Sequence, residues 1–193
     1  NTVTSIGDSC FRYSSVEEII FEQNSSLTSI GIYSFSNADA LTTIIIPDSV
    51  TSIATSAFKG TLSLITITIP NSVESIGDSA FEDSSLNEII FEQESSLNTI
   101  GIDSFKNTNL TSITIPESVT SIGANAFYNS PLEIVYISEN TLATLNIDLS
   151  ANSQSQLSYT EMSFYGSNTT VIKNINTRTK IFLESGNYTY ISS

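Results

Sequence analysis

The sequence has no histidine and no tryptophan, a single cysteine, and only six lysine and arginine residues among 193. Without an imidazole, histidine-dependent nucleophilic or acid–base catalysis is excluded. One cysteine, Cys10, cannot form a disulfide within the chain. The six cations stand against 20 acidic residues, giving a net charge of −14. This balance argues against nucleic acid as a partner, because phosphate binding requires clustered Lys and Arg.

Long apolar runs are also missing, since no stretch approaches the roughly 18 residues needed to span a bilayer. We therefore expect no membrane insertion in this chain. The chain begins at Asn1 and shows no secretory signal pattern, which predicts that it is processed or excised from something longer. Hydroxyl groups are abundant instead. Only 13% of the residues in the chain are charged, and 35 Ser and 23 Thr residues supply most of the remaining polar groups that interact with water.

Cofactor and metal motifs are absent from the sequence. It contains no P-loop, dinucleotide fingerprint, Cys/His metal spacing or D-x-D-x-D-G calcium loop. Two carboxylate pairs, Glu17 with Glu18 and Glu82 with Asp83, are the kind of groups that hydrolyse glycosides, but we interpret them as solvated loop and strand-edge charges. The sequence therefore predicts no enzyme, no cofactor and no metal site.

An internal repeat organises the chain. The motif I-G-x-x-small-Phe occurs five times, and a sixth copy, Ile53 to Phe58, has Ala54 in place of the glycine. The phenylalanines of the motif recur at a nearly constant spacing, at Phe11, Phe35, Phe58, Phe81, Phe105 and Phe127. A period of about 23 residues is typical of a solenoid, in which each coil packs only on its neighbours.

Each copy contains two predicted walls. Stretches such as LTTIIIP, LSLITITIP and LTSITIP are β-branched and end at proline, which predicts strands along one wall. On the other wall, the motif glycine suits a corner that needs a positive φ or a close backbone approach. A short helical turn then carries a small residue and the Phe inward. The small residues are expected to be buried, Cys10 included: Cys10, Ser34, Ala57, Ala80, Ser104 and Ala126.

A second, longer period is visible. The segments SIGDSCF and EEIIFEQNSSLTSIG, within residues 5–31, reappear as SIGDSAF and NEIIFEQESSLNTIG, within residues 75–101. The displacement, from Ser5 to Ser75, equals three coils. It predicts matching surface features about 15 Å apart at a strand spacing of about 4.8 Å.

The period decays after Ile137, and we predict two parts: a solenoid of about six coils over residues 1–150 and a C-terminal β cap or tail over residues 151–193. The terminal coils of a solenoid have one apolar face without a neighbouring coil, and this face must be shielded from water. Nothing comparable precedes Val3, so we expect that end to be cut or paired with a missing partner. Short strands are predicted in the tail around residues 162–165, 171–175, 180–183 and 188–191, with a hairpin turn at residues 186–187.

The units ITIPNSVESIGDSAF and ITIPESVTSIGANAF, at residues 67–81 and 113–127, resemble the BspA-like class of leucine-rich repeats. The resemblance covers roughly residues 3–137 and leaves the tail beyond residue 150 outside the repeats. It implies an α/β repeat solenoid: a right-handed superhelix with a parallel β-sheet on one face and short helical turns opposite. It also implies a secreted or cell-surface protein associated with adhesion, with no catalytic residues to transfer.

The outward positions of the predicted strands give the candidate site. If Ile44, Ile67 and Ile113 point inward, the residues between them point out. They form a first row of Glu18, Thr43, Thr66, Glu88, Ser112 and Ile134, and a second row of Ile20, Ile45, Thr68, Ile90, Thr114 and Tyr136. The second row is unusually apolar, which marks an interaction face. The alternative explanation is β-propensity alone.

Two functions from different classes follow. The first is a non-enzymatic protein-binding or adhesion module, extracellular or on a cell surface, whose partner is a host, matrix or identical protein. Its candidate partner-binding residues are Glu18, Ile20, Thr43, Ile45, Thr66, Thr68, Glu88, Ile90, Thr114 and Tyr136. The alternative is a structural building block, such as a spacer, coat, filament or viral-particle component, that associates end to end.

Overall fold

The computed structural model describes residues 2–22, 24–132, 134–137, 141, 145, 180–182 and 188–190. The chain winds into about six coils, which we number 1 to 6 by their motif phenylalanines, from Phe11 in coil 1 to Phe127 in coil 6. All strand pairs between consecutive coils are parallel, so the predicted solenoid is confirmed. In the parts of the chain that the structure describes, no helix has the length and apolar composition to cross a membrane.

One side of the solenoid is a six-stranded parallel sheet built from two-residue strands that precede the motif glycine. We call it the Ser-Ile sheet. Its isoleucines are buried in the core, and the Ser or Thr before each is exposed or half-buried. This sheet was not predicted. Its strands are β1 (Ser5–Ile6), β3 (Ser29–Ile30), β5 (Ser52–Ile53), β7 (Ser75–Ile76), β9 (Thr99–Ile100) and β11 (Ser121–Ile122).

The predicted strands form a second side, the strand wall. It is divided into parallel pairs: β2 with β4, β6 with β8 and β10 with β12. Inward isoleucines such as Ile44, Ile67 and Ile113 are buried, as predicted. The strands of the wall are β2 (Glu18–Ile19), β4 (Thr43–Ile44), β6 (Thr66–Ile69), β8 (Glu88–Phe91), β10 (Ser112–Thr114) and β12 (Ile134–Tyr136).

Two strands of the tail extend this wall. β13 (Lys180–Phe182) pairs in parallel with β12, and β14 (Tyr188–Tyr190) pairs antiparallel with β13. They match two of the predicted tail strands. The strands predicted at residues 162–165 and 171–175, and the hairpin turn at 186–187, lie outside the described residues. The cap and the division at residue 150 stay predictions.

The third side, the turn wall, carries the stacked rings of the six motif phenylalanines. Neighbouring rings are parallel within 2° to 8°, with centroids 5.2 or 5.3 Å apart. From Phe35 to Phe127 every ring is buried. Burial of each such ring contributes about 1.5–3 kcal/mol, so the stack is a principal source of stability. The rings of Phe58 and Phe81 share one core, as the solenoid interpretation requires.

The turn wall contains tandem turns where short helical turns were expected. In each coil six residues, such as 78–83 in coil 4, form consecutive turns. Ser79 and Asp83 have φ values of 53° and 60°, and equivalent residues in the other coils are also left-handed. Two left-handed residues per coil interrupt a right-handed helix. They turn alternate N–H groups toward the next coil, as where Phe81 N–H donates to the Ser104 carbonyl at 2.7 Å.

Of the two roles predicted for the motif glycine, close backbone approach is the one that applies. A Cβ atom added to Gly123 would overlap the backbone nitrogen of Ile102 in the preceding coil. Gly77 and Gly101 are similarly crowded, and none of these three has a positive φ. At the same place the Gly123 N–H donates to the Ile100 carbonyl of the preceding coil at 2.7 Å.

The prediction of a buried Cys10 is wrong, because its thiol is exposed. Its counterparts Ser34, Ala57, Ala80, Ser104 and Ala126 are buried as expected. The difference has a packing cause. Within the described residues coil 1 packs on coil 2 alone, so Phe11 is only partly buried whereas Phe35, in the same position of coil 2, is fully buried.

Candidate functional site

The outer surface of the strand wall carries the candidate site. The side chains alternate, as in β6, where Thr66 and Thr68 are exposed and Ile67 and Ile69 are buried. The structure places all ten predicted partner-binding residues at the surface: Glu18, Ile20, Thr43, Ile45, Thr66, Thr68, Glu88, Ile90, Thr114 and Tyr136. Their exposure is a structural finding, and their part in binding stays a prediction.

The strand register aligns these residues across coils. Glu18 lies beside Thr43, and Thr68 lies beside Ile90. Ile20 and Ile45, each one residue beyond a paired strand, have 78% and 73% of their surface exposed. These are the two most exposed large apolar side chains among the described residues. Such exposure contributes nothing to folding and creates an apolar patch.

Two shallow grooves meet at this patch. The first groove, of about 570 Å³, lies between coils 1 and 2 and includes Ile20, Glu22, Ile45 and Asp48. The second groove, of about 580 Å³, lies between coils 2 and 3 and is lined by parts of β4 and β6 together with Glu92. Ile45, Ile46 and Asp48 line both grooves. Ile45 therefore forms an apolar ridge between two concave surfaces.

The second groove coincides with a break in the strand wall. β4 and β6 belong to neighbouring coils but form no ladder, whereas β2 pairs with β4 and β6 with β8. At the other break, between β8 and β10, the Asn109 N–H still donates to the Leu86 carbonyl at 2.9 Å. The second groove lies at this break in the backbone ladder, which no local sequence pattern indicates.

In coils 1 to 5 the charge of the strand wall is of one sign. Glu18, Glu22, Asp48, Glu88 and Glu92 are all carboxylates on this wall or at its edge. Coils 1 to 5 contain three cations, and each follows a motif phenylalanine on the turn wall: Arg12, Lys59 and Lys106. The candidate surface is consequently apolar and acidic, and it suits a partner with apolar and basic groups.

The cations of the turn wall are already paired. The Lys59 ammonium lies 2.6 Å and the Lys106 ammonium 3.2 Å from the Glu82 carboxylate. The Arg12 guanidinium carbon lies 4.9 and 4.8 Å from the ring centroids of Tyr13 and Tyr33, a cation–π arrangement. These contacts hold the turn wall together and leave it no unpaired cation in coils 1 to 5.

The interpretation of Glu82 as a solvated charge is wrong, because its side chain is only 11% exposed between the two lysines. Burial acts to raise the pKa of Glu82, but hydrogen bonds from Lys59, Ser79 and Lys106 outweigh it, and the pKa is lowered. The hydrogen bond to Glu82 in turn raises the pKa values of Lys59 and Lys106, against the effect of burial. A carboxyl group with a lowered pKa is unsuited to act as the acid of a glycosidase.

Metal ligands are not grouped in the described part of the chain, where no cluster of three or more His, Cys, Asp and Glu side chains could hold an ion. The carboxylates of the strand wall are spread along it, between hydroxyl and apolar side chains. What the geometry offers is a surface for contact with another molecule.

The repeat units match a known family. The model of the BspA type leucine-rich repeat region, with six copies, matches residues 4–133 and again residues 94–191. The chain belongs to the BspA-type leucine-rich repeat family. The second match runs well past residue 150, so the BspA-type resemblance reaches further than predicted. The tail lacks the I-G-x-x-small-Phe motif on which the shorter extent was based.

Two solved structures are similar to this chain in fold. A leucine-rich cell surface protein from Faecalibacterium prausnitzii is 26% identical with a TM-score of 0.51, over 72% of this chain and 46% of its own. The pneumococcal vaccine antigen PcpA is 28% identical with a TM-score of 0.51, over 72% of this chain and 29% of its own. This chain thus spans less than half the length of either protein. No curated protein matches it.

Proposed function

We propose that this chain is a non-enzymatic protein-binding module of a secreted or cell-surface protein, and that its partner docks on the strand wall. The observation that carries the proposal is the pair of isoleucines, Ile20 and Ile45, exposed side by side where two grooves meet. Surface location is supported by the similarity to the leucine-rich cell surface protein from Faecalibacterium prausnitzii.

The energetics of the patch favour binding. Full burial of an isoleucine side chain contributes about 1.5–3 kcal/mol. A partner that covers Ile20 and Ile45 therefore gains several kcal/mol before any polar contact is made. The surrounding Thr43, Thr66 and Thr68 hydroxyls supply hydrogen-bond donors and acceptors around that apolar centre. This arrangement, an apolar centre with a polar rim, is typical of protein interfaces.

The test compares Ile45→Glu with a matched surface variant. Ile102 is also an exposed isoleucine but lies on the turn wall, so Ile102→Glu adds the same charge away from the grooves. Both variants and the wild type would be titrated by surface plasmon resonance against a panel of purified extracellular-matrix and host-surface proteins. We expect Ile45→Glu to lose binding at least about tenfold and Ile102→Glu to retain it. Equal binding by all three would contradict the proposal.

A second candidate, a building block that associates end to end, is favoured by coil 1. There Val3 and Cys10 are exposed and Phe11 is only partly buried. Among the described residues, no coil packs on the outer face of coil 1 to cover these side chains. Sedimentation velocity over a wide concentration range tests it. Association that is weakened by Val3→Asp supports this candidate, and a monomer at the highest concentration counts against it.

A further inference from the structure

The three-coil repeat places two copies of one acidic and apolar surface element on the strand wall. The sequence E-I-I-F-E-Q occurs at residues 18–23 and 88–93. In both copies the two glutamates and the isoleucine between them are exposed, whereas Ile89 is buried and its counterpart Ile19 half-buried. We call each copy a Glu-Ile-Glu element, formed by Glu18, Ile20 and Glu22 in coil 1 and by Glu88, Ile90 and Glu92 in coil 4.

The two elements lie at a fixed distance. They are separated by three coil spacings, and adjacent rings of the turn wall are 5.2 Å apart. With strands about 4.8 Å apart, the two exposed isoleucines are about 15 Å from each other. The stacked core holds both on one rigid body.

The coils between them carry no matching charge. In coils 2 and 3 the positions of the glutamates are occupied by threonine and proline: Thr43 and Pro47 in one coil, Thr66 and Pro70 in the other. Coil 5 likewise has Ser112 and Pro116. The glutamates of the wall are therefore concentrated at two points, and between them the carboxylate of Asp48 lies next to Pro47 at the edge of the wall.

The carboxylates of the elements have no cation. Glu18, Glu22, Glu88 and Glu92 form no ion pair with any described residue, and the cations of coils 1 to 5 lie on the turn wall. Glu92 makes one local contact, accepting the Asn71 N–H at 3.1 Å. Each element thus presents an exposed isoleucine flanked by negative charges that nothing in these coils neutralises.

We propose that the strand wall binds a cationic polypeptide segment at two points, with one apolar side chain flanked by Lys or Arg seated on each Glu-Ile-Glu element. The inference rests on the proposed function and names its partner by charge and spacing. The segment carries two such apolar side chains. In the complex they lie as far apart as Ile20 and Ile90, which the three-coil repeat places about 15 Å from each other.

Two contacts are needed because one is weak. Exposed ion pairs contribute about 0.2–1 kcal/mol each, and an isoleucine on a shallow surface is only partly covered. A single element therefore binds with low affinity. Joining two contacts in one ligand makes the second contact intramolecular, and a short flexible linker gives an effective concentration in the millimolar range.

The experiment uses two synthetic peptides of identical composition and the whole chain. The spanning peptide is Lys-Ile-Lys-Gly-Ser-Gly-Ser-Lys-Ile-Lys, whose isoleucines reach up to roughly 23 Å apart. In the compact peptide the two Lys-Ile-Lys elements are joined directly and Gly-Ser-Gly-Ser follows them, so its isoleucines reach only roughly 10 Å. Affinities would be measured by isothermal titration calorimetry at low ionic strength.

We expect the spanning peptide to bind at least about tenfold more tightly than the compact one. Ile20→Thr and Ile90→Thr should each abolish that advantage, because each leaves one element. Both variants should fold, since Thr68 and Thr114 occupy the same row in coils 3 and 5. Ile102→Thr, on the turn wall, is the matched control and should preserve the advantage. Salt near 0.5 M should weaken binding of both peptides.

Three results would overturn the inference: equal affinity for both peptides, no binding of either, or equal binding of peptides with Glu in place of Lys. None of them contradicts the proposed function by itself. If Ile45→Glu still loses binding to a protein of the panel, the strand wall remains the docking surface and only the cationic two-point ligand is wrong.

Discussion

The turn wall and the strand wall belong to the same coils, but the rings and cations of the first are packed or paired, whereas the outward side chains of the second are exposed. On the turn wall the phenylalanine rings stack between neighbours, and the lysines pair with Glu82. On the strand wall Ile20 and Ile45 face outward, the glutamates of the two Glu-Ile-Glu elements form no ion pair with a described residue, and the hydrogen-bond ladder is interrupted between β4 and β6. One short repeat thus places stabilising contacts on one side and leaves exposed apolar and acidic side chains on the other.

Removing a ring from the middle of the stack is the strongest way to test this division. Phe81→Ala should lower the free energy of unfolding by about 3–5 kcal/mol, because Phe81 is buried and stacks on both Phe58 and Phe105. Urea denaturation followed by circular dichroism measures the loss. Phe11→Ala is the control and should cost clearly less, since Phe11 is partly buried and stacks only on Phe35 among the described rings. Equal losses would contradict the proposed role of stacking.

The charged group of the turn wall should give the next largest effect. Glu82→Ala leaves Lys59 and Lys106 without their shared carboxylate and should lower the free energy of unfolding by about 1–2 kcal/mol. The loss is smaller than for a fully buried ion pair, because both lysines are partly exposed to solvent. Asp83→Asn removes an exposed neighbouring negative charge, keeps a side chain that tolerates the left-handed backbone at this position, and should cost less than about 0.5 kcal/mol. Urea denaturation at pH 7 distinguishes them, and a larger loss in Asp83→Asn would overturn the assignment.

The same group predicts a pH dependence. The pKa of Glu82 is lowered on folding, so its contribution is present above the ordinary value of 4.5 and lost as the pH falls through the folded pKa. The pKa values of Lys59 and Lys106 are raised, so theirs is present below 10.5 and lost as the pH rises through the folded values. The difference in melting temperature between wild type and Glu82→Ala should be constant from about pH 5 to 10 and shrink on either side. A constant difference down to pH 2 would contradict it.

The strand wall should give the smallest effect on stability. Ile20→Thr and Ile45→Thr exchange exposed side chains for the residue that coil 3 uses at the same place, Thr68. We expect changes within about 0.5 kcal/mol, measured by the same urea denaturation. A loss above about 1 kcal/mol in either variant would mean that the patch supports the fold, and the separation of the two walls would fail.

Much of the fold could be predicted from the sequence because it repeats. The constant spacing of the phenylalanines predicts the ring stack, and the alternation of Thr and Ile over residues 66–69 predicts that Ile67 and Ile69 are buried. The Ser-Ile sheet was missed because a two-residue strand is too short to show alternation. The left-handed turns had a signal that was not used: Asn or Asp stands two residues after the phenylalanine in four coils, at Asn37, Asp83, Asn107 and Asn129.

The rest depends on neighbours that are distant in sequence. The exposure of Cys10 follows from the one-sided packing of coil 1, which its own motif does not reveal. The pairing of Glu82 with Lys59 and Lys106 joins residues of three successive coils, and only alignment of the coils brings the three into one line. The second groove coincides with the missing ladder between β4 and β6, which sequence alignment of the coils does not indicate.

Each coil bonds only to the coil before and the coil after it, and the first and fourth coils share nearly the same sequence. A crossover between the DNA encoding those two copies would remove or add three whole coils while leaving every junction between neighbouring layers as it is now. The length of the array is therefore free to change over generations without redesign of the core. Each added block would extend the reach of the molecule and bring one more acidic contact point at the same pitch.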